Sequence, residues 1–163
     1  MKYVKGDLIE KAKLGEFDVI VQGQNCFNSW SAGIAATIRK EFPPAYEADQ
    51  KTIKGDKKKV GTYTQATVEV NSKSLTIINA YTQYKFWGDK GVDLFEYKGF
   101  ENILKQMKEE FKGKSIAFPL IGCGLAGGDK EHIMNMIKTQ LEGMDITIVE
   151  WTKKHVPLYK NIK

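Results

Sequence analysis

Hydrophobic and polar positions in this chain switch repeatedly between strand-like runs and helical spacing. Short apolar runs at Tyr3-Val4, Phe17–Val21, Ser115–Leu120 and Ile146–Trp151 predict strands, the compact Phe17–Val21 run being suited to a buried one. Thr62–Val70 and Leu75–Tyr81 have strand composition, and Asn71-Ser-Lys-Ser74 between them predicts a hairpin turn. Helical spacing takes over in between. Ile34, Ile38 and Phe42 share one side of a helix over Gly33–Phe42. Pro43-Pro44 interrupts it, and a second piece runs from Ala45 to about Lys51. Phe100, Ile103, Leu104, Met107 and Phe111 mark a long amphipathic helix over Leu94–Phe111. Asp129–Leu141 predicts another helix, and Leu8–Leu14 a weak helical turn. Thr152–Lys163 shows no pattern.

This alternation predicts the α/β class, a three-layer α/β/α sandwich around a mixed central sheet. The expected organisation is a single domain over 1–152 and a C-terminal tail over 153–163. Ligands in such folds bind outside the carboxyl ends of the strands. Three loops of unusual composition fall there: Gly23–Gly33, Thr82–Val92 and Ile121–Gly128. The last, Ile121-Gly-Cys-Gly-Leu-Ala-Gly-Gly128, is the most pointed. Glycines between a strand and a helix N-terminus let backbone N–H groups approach a phosphate or diphosphate. The competing explanation is a tight strand-to-helix turn with no ligand.

Composition narrows the classes. With 42% hydrophobic residues in 163, the chain can bury a core without disulfide or metal staples. It has no apolar run long enough for a transmembrane helix, and Met1–Asp7 lacks the apolar segment of a signal peptide. Cys26 and Cys123 read as reduced thiols, so a cytoplasmic location is expected. Net charge is +5, but Arg39 is the only arginine, which argues against bidentate nucleic-acid recognition. The basic run Lys51–Lys59 reads as a solvated loop. No phosphate-loop or dinucleotide fingerprint is present. Cys26, Cys123, His132 and His155 have no metal-ligand spacing, so neither metal nor cofactor is expected. Cys123 is either a thiol with a lowered pKa in an N–H-rich loop or a small residue packed beside glycines.

Gly6-Asp7-Leu8 after the first strand, Asp18-Val-Ile-Val21 leading to Asn25, Ser31-Ala-Gly-Ile-Ala35 opening a helix, Ile121–Gly127 and the closing Val149-Glu-Trp151 occur in one order. In that order they resemble the macro domain, an ADP-ribose-binding α/β family, over about Val4–Trp151. Asn25–Ala35 is similar to the subgroup containing a yeast ADP-ribose 1″-phosphate phosphatase, and the glycine loop to the terminal ADP-ribose glycohydrolase. The resemblance implies that Asp7 accepts from the adenine amino group beside the Leu8 N–H, although Asp7 also suits a helix N-cap. It puts Asn25 at the distal ribose and Ser31, Ala32, Gly33 and Ile34 along the diphosphate. Ile121, Gly122, Cys123, Gly124, Leu125 and Ala126 would close from the other side. Trp30 is read as a lid, with core packing as the alternative.

Two departures bear on chemistry. Gln83 and Ala126 stand where the glycohydrolase has a lysine and an aspartate, and Gln22 where the phosphatase subgroup has a histidine. The remaining catalytic candidates are Asn25 and Asp129, the latter better suited to capping the following helix. The expected activity is phosphate removal from ADP-ribose 1″-phosphate. The alternatives are a non-catalytic ADP-ribose reader, a de-ADP-ribosylating hydrolase and, last, a nucleic-acid-binding domain. Expected partners are ADP-ribose, its 1″-phosphate or an ADP-ribosylated protein, bound by a monomer without membrane contact.

Overall fold

Period-2 alternation along the strands divides the protein's apolar side chains between the two faces of one sheet. The computed structural model describes residues 1–124 and 126–152; Leu125 and the expected tail lie outside the described residues. The strands are β1 (Lys2–Gly6), β2 (Val19–Gln24), β3 (Tyr63–Val70), β4 (Lys73–Tyr81), β5 (Ser115–Phe118) and β6 (Asp145–Trp151). The helices are α1 (Leu8–Lys13), α2 (Gly33–Glu41), α3 (Pro43–Gln50), α4 (Tyr97–Glu110) and α5 (Lys130–Gln140), with a 3-10 turn at Lys57–Lys59. The sheet order is β1-β6-β5-β2-β4-β3. Every neighbouring pair is parallel except the β3–β4 hairpin.

Val19 and Val21 of β2, Ile116 and Phe118 of β5, and Ile146 and Ile148 of β6 join the core built with α4 and α5. Ile20 and Ala117 between them, and Val149 after Ile148, join the opposite core, with α1, α2 and α3. The result is the expected α/β sandwich with a mixed sheet. Phe100, Ile103, Leu104 and Met107 of α4 are fully buried. Each such side chain contributes about 1.5–3 kcal/mol of transfer free energy.

Boundaries move for local reasons. α3 starts at Pro43, because prolines fit the first helical positions, where no N–H is needed. β5 stops at Phe118, ahead of a proline that cannot donate to a ladder. The hairpin turns on Asn71 and Ser72, with φ of 49° and 62°, the pair of positive values a two-residue turn requires. α4 starts at Tyr97 rather than Leu94, and the three preceding amides bond outside the helix. Leu94 N–H donates to Ala126 O at 2.7 Å and Glu96 N–H to Thr82 O at 2.7 Å, while Phe95 N–H donates to Asp93 Oδ1 at 2.9 Å. Residues 93–96 therefore tie the glycine loop to the end of β4. Among the described residues, no helix is long and apolar enough to cross a membrane.

Candidate functional site

The carboxyl ends of β6, β5, β2 and β4 lie side by side, and a cleft crosses them. It consists of two cavities of about 430 and 380 Å³ that share Gly33, Ile34 and Pro119. Asp7, Leu8, Ile9, Thr37, Val149 and Trp151 line the first. The second is walled by Asn25, Ser29, Ser31 and Ala32 on one side and by Ile121, Gly122, Gly124 and Ala126 on the other, with Gln83 and Phe86 beyond. The structure thus brings together every expected ligand residue that it describes except Cys123. Trp151, Phe86, Gln24 and Thr82 line the cleft too and were not among the expected site residues. Trp151 ends β6 and Phe86 lies in the loop after β4, both exposed, at 68% and 50%.

At the first end Asp7 caps α1. Its Oδ1 accepts from Ile9 N–H at 2.9 Å and Glu10 N–H at 3.1 Å. Capping uses one carboxylate oxygen, and the second is free to accept from a ligand donor. Midway, α2 begins at Gly33 behind Ala32, which has no side chain to cap it. The first amides of α2 therefore face the cleft at the positive end of a helix, a setting that favours an anion. Among the described residues, no lysine or arginine lines either cavity. A diphosphate here would be held by backbone amides.

The opposite wall is shaped by missing side chains. Gly122 has φ +74°, and a Cβ there would lie 2.3 Å from the ring of Phe95, itself buried. That glycine is needed by the fold. Gly124 is different: it has no positive φ, and a Cβ would meet nothing within 4 Å among the described residues. Packing does not demand a glycine there, and its open face borders the cleft.

Several candidates take other roles. Asn25 is buried and braces its own loop: Oδ1 accepts from Phe27 N–H at 2.8 Å and Ser29 N–H at 3.4 Å, and Nδ2 donates to Ser29 O at 3.0 Å. Asp129 is not brought to the cleft. It caps α5, accepting from His132 N–H at 3.2 Å, and borders a separate hollow with Glu131 and Asn135. Cys123 packs on the α4/α5 core, with Sγ 3.3 Å from Ile121 O. Burial pushes its thiol pKa up, so the lowered-pKa alternative is overturned.

Trp30 is core, not lid. It is 3% exposed, and Nε1–H donates to Asp49 Oδ2 at 2.7 Å. Asp49 Oδ1 accepts from Tyr81 OH at 2.6 Å. Lys59 likewise departs from the solvated-loop expectation. It is 7% exposed, and Nζ donates to Asn28 Oδ1 at 2.8 Å and Thr52 Oγ1 at 2.9 Å. Burial lowers its pKa. Asn28 Nδ2 reaches Asp49 O at 3.3 Å, joining the two groups. This buried network underpins the Asn25–Trp30 wall, and its one sequence signal was a loop tryptophan whose N–H needs an acceptor.

Among the described residues lining the second cavity there is no carboxylate, imidazole or amine. The described residues at that end supply amides, hydroxyls and carbonyls.

Comparison with known proteins fits this geometry. The family model for the Macro domain matches residues 21–137. A protein of Enterobacteria phage T4, described only as an uncharacterized 17.5 kDa protein of the tk-vs intergenic region, is 31% identical over 156 residues, covering 93% of this chain and 96% of its own. An ADP-ribose 1″-phosphate phosphatase of Meyerozyma guilliermondii is 38% identical over only 47 residues, 29% of this chain and 26% of its own. The phosphatase subgroup therefore rests on a short segment. Among solved structures, a Bacteroides thetaiotaomicron protein superposes with a TM-score of 0.74 at 25% identity, covering 92% of this chain and 99% of that one. Thermosipho africanus DarTG in complex with ADP-ribose superposes with a TM-score of 0.70 at 21% identity, covering 98% of this chain and 44% of that one.

Proposed function

The chain belongs to the Macro domain family, and we propose that its cleft binds ADP-ribose. The observation that carries this reading is the match between the order of chemistries along the cleft and the order of groups in the ligand. An exocyclic amine would meet the free oxygen of Asp7 while Trp151 covers the base. The diphosphate would sit on the uncapped start of α2 and the open face of Gly124, where N–H groups and the helix dipole supply the positive field. The distal ribose would lie toward Asn25, Gln83 and Phe86. The complex of the structurally similar DarTG with ADP-ribose supports this assignment.

A second reading is removal of the 1″-phosphate from ADP-ribose 1″-phosphate, favoured by the 47-residue match to an ADP-ribose 1″-phosphate phosphatase. Water would attack phosphorus, the sugar oxygen would leave, and loop amides would carry the developing charge. With no side-chain base at that end among the described residues, the proton would pass to a phosphate oxygen and turnover would be slow. Lysine-dependent de-ADP-ribosylation is disfavoured by Gln83, whose Nε2 donates to Lys85 O at 2.8 Å, and by Ala126, which offers no carboxylate.

Calorimetric titration with ADP-ribose, paired with a phosphate-release assay on ADP-ribose 1″-phosphate, tests both readings. Micromolar binding without release makes the protein a reader. Binding with release makes it a phosphatase. Absence of binding removes the cleft assignment.

A further inference from the structure

Three segments of the chain are fastened together beside the Phe86 end of the cleft. Gly55 N–H donates to Cys26 O at 2.7 Å, and Cys26 N–H to Tyr84 O at 2.8 Å. Tyr84 OH donates to Gly55 O at 3.1 Å. Gly55 has φ +81°, and a Cβ there would lie 3.3 Å from the ring of Phe27. The lysine-rich segment 54–58 is therefore held against the aromatic segment 84–87, and Phe27 touches both.

The rings form one cluster that is only half covered. Phe27 has Tyr84 and Trp87 as neighbours, each with its centroid 4.9 Å away, and Trp87 meets Phe86 at 5.1 Å. Interplanar angles of 61°, 65° and 84° make these edge-to-face contacts. Phe86 and Trp87 nevertheless remain 50% exposed. Large apolar groups gathered at a surface mark a place where something binds.

Lysines surround this cluster. Lys57 Nζ stands 4.9 Å from the centroid of the Tyr84 ring. Lys54, Lys57, Lys58 and Lys90 are exposed, and Lys85 is partly so. Against them, segments 54–58 and 84–90 carry the carboxylates of Asp56 and Asp89. Asp56 Oδ1 accepts from Lys58 N–H at 2.9 Å, capping the 3-10 turn. None of the five lysines joins an ion pair among the described residues. Positive charge left unspent beside exposed rings suits a partner that is both flat and anionic.

We propose that this platform binds single-stranded nucleic acid, with bases stacked on Phe86 and Trp87 and phosphates beside the lysines. Every base has a π-face, so stacking asks for no base-edge readout. That agrees with a platform that carries no arginine. A duplex keeps its bases paired and stacked, and would leave the rings nothing to take. An acidic peptide would engage the lysines and leave the rings in water. The proposal does not depend on what the cleft binds, so it and the ADP-ribose reading fail separately.

Fluorescence anisotropy with a labelled oligothymidylate of about 12 nucleotides tests this over a series of salt concentrations. A duplex of the same length and anionic phosphatidylserine vesicles serve as competitors. Trp87→Ala is expected to weaken the single strand about 5- to 150-fold, the worth of one base stacked on a ring. Lys54→Gln combined with Lys58→Gln is expected to flatten the dependence of log affinity on log salt by about 1.4, two single-strand phosphates' worth. Thermal unfolding shows whether each variant is folded. If Trp87→Ala does not fold, the lysine pair, both exposed, and the duplex competition decide. Wild-type protein that does not bind the oligothymidylate at low salt overturns the proposal. So does binding that both sets of substitutions leave unchanged. Equal affinity for single strand and duplex overturns it too, by reducing the contact to charge alone. Binding to the vesicles but not to the oligothymidylate, lost in Trp87→Ala, assigns the platform to a membrane surface instead.

Discussion

The two walls of the cleft are held by opposite means. The Asn25–Trp30 wall is fixed by what its side chains do: Asn25 braces the loop, and Trp30 and Asn28 reach into a buried network with Asp49, Tyr81 and Lys59. The Ile121–Gly128 wall is fixed largely by what is missing, since Phe95 presses against Gly122 where any Cβ would stand. Polar residues beside a ligand cleft therefore need not serve the ligand. On the first wall they serve the loop. On the second, the residue left unused by the fold is a glycine, Gly124.

The largest effect falls on the wall held by absence. Gly122→Ala places a Cβ 2.3 Å from the Phe95 ring at φ +74°. Left-handed backbone costs about 1–2 kcal/mol for an L-residue, and overpacking a core costs about 1–3 kcal/mol. Phe95 packs against Phe100 and Tyr97, with ring centroids 5.2 and 5.1 Å away, and has little room to retreat. The expected loss is about 3–4 kcal/mol by urea denaturation. A loss under about 1 kcal/mol would mean that the loop moves freely and that Phe95 does not set its shape.

Next comes the wall held by contacts. Asp49→Asn leaves one oxygen to serve Trp30 and Tyr81, and turns an amide donor toward the other. The cost is about 2–3 kcal/mol, as for a buried donor left unpaired. It is expected to loosen residues 25–30, seen as faster hydrogen exchange at Phe27 and Ser29, while the amides of residues 121–124 keep their protection. Equal loss of protection on both walls would show one cooperative unit instead of two.

The same contrast explains what the sequence could tell. Strand alternation at Val19, Ile20 and Val21 and helical spacing at Phe100, Ile103, Leu104 and Met107 report local periodicity, and the fold follows from it. The cleft-lining loops were legible because glycines and small residues announce themselves in order. The network under the first wall was not. Trp30 meets Asp49, 19 positions away, and Lys59 meets Asn28, 31 positions away. Such partners are set by how α3 folds back on β4, and a lysine run or a loop tryptophan reads as surface until that packing is known. The same holds for Gln22 and Asn79, whose pairing across 57 positions depends on sheet order.

The smallest expected change in stability belongs to Gly124, and it separates the two uses of glycine most sharply. A Cβ there meets no atom within 4 Å and no positive φ opposes it. Gly124→Ala should therefore fold as well as the parent, or gain about 0.4–1 kcal/mol from a stiffer unfolded chain. Yet its methyl group would project from an open glycine face of the cleft, where, on the ADP-ribose reading, the diphosphate would approach backbone amides closely. Affinity for ADP-ribose is expected to drop about tenfold, corresponding to roughly 1.4 kcal/mol. On the same reading Asp7, at the far end, would meet the base, so Asp7→Asn in the same titration should weaken ADP-ribose and adenosine alike, while Gly124→Ala spares adenosine. If Gly124→Ala binds ADP-ribose as tightly as the parent, the diphosphate does not lean on this wall, and the α2 N-terminus carries it alone.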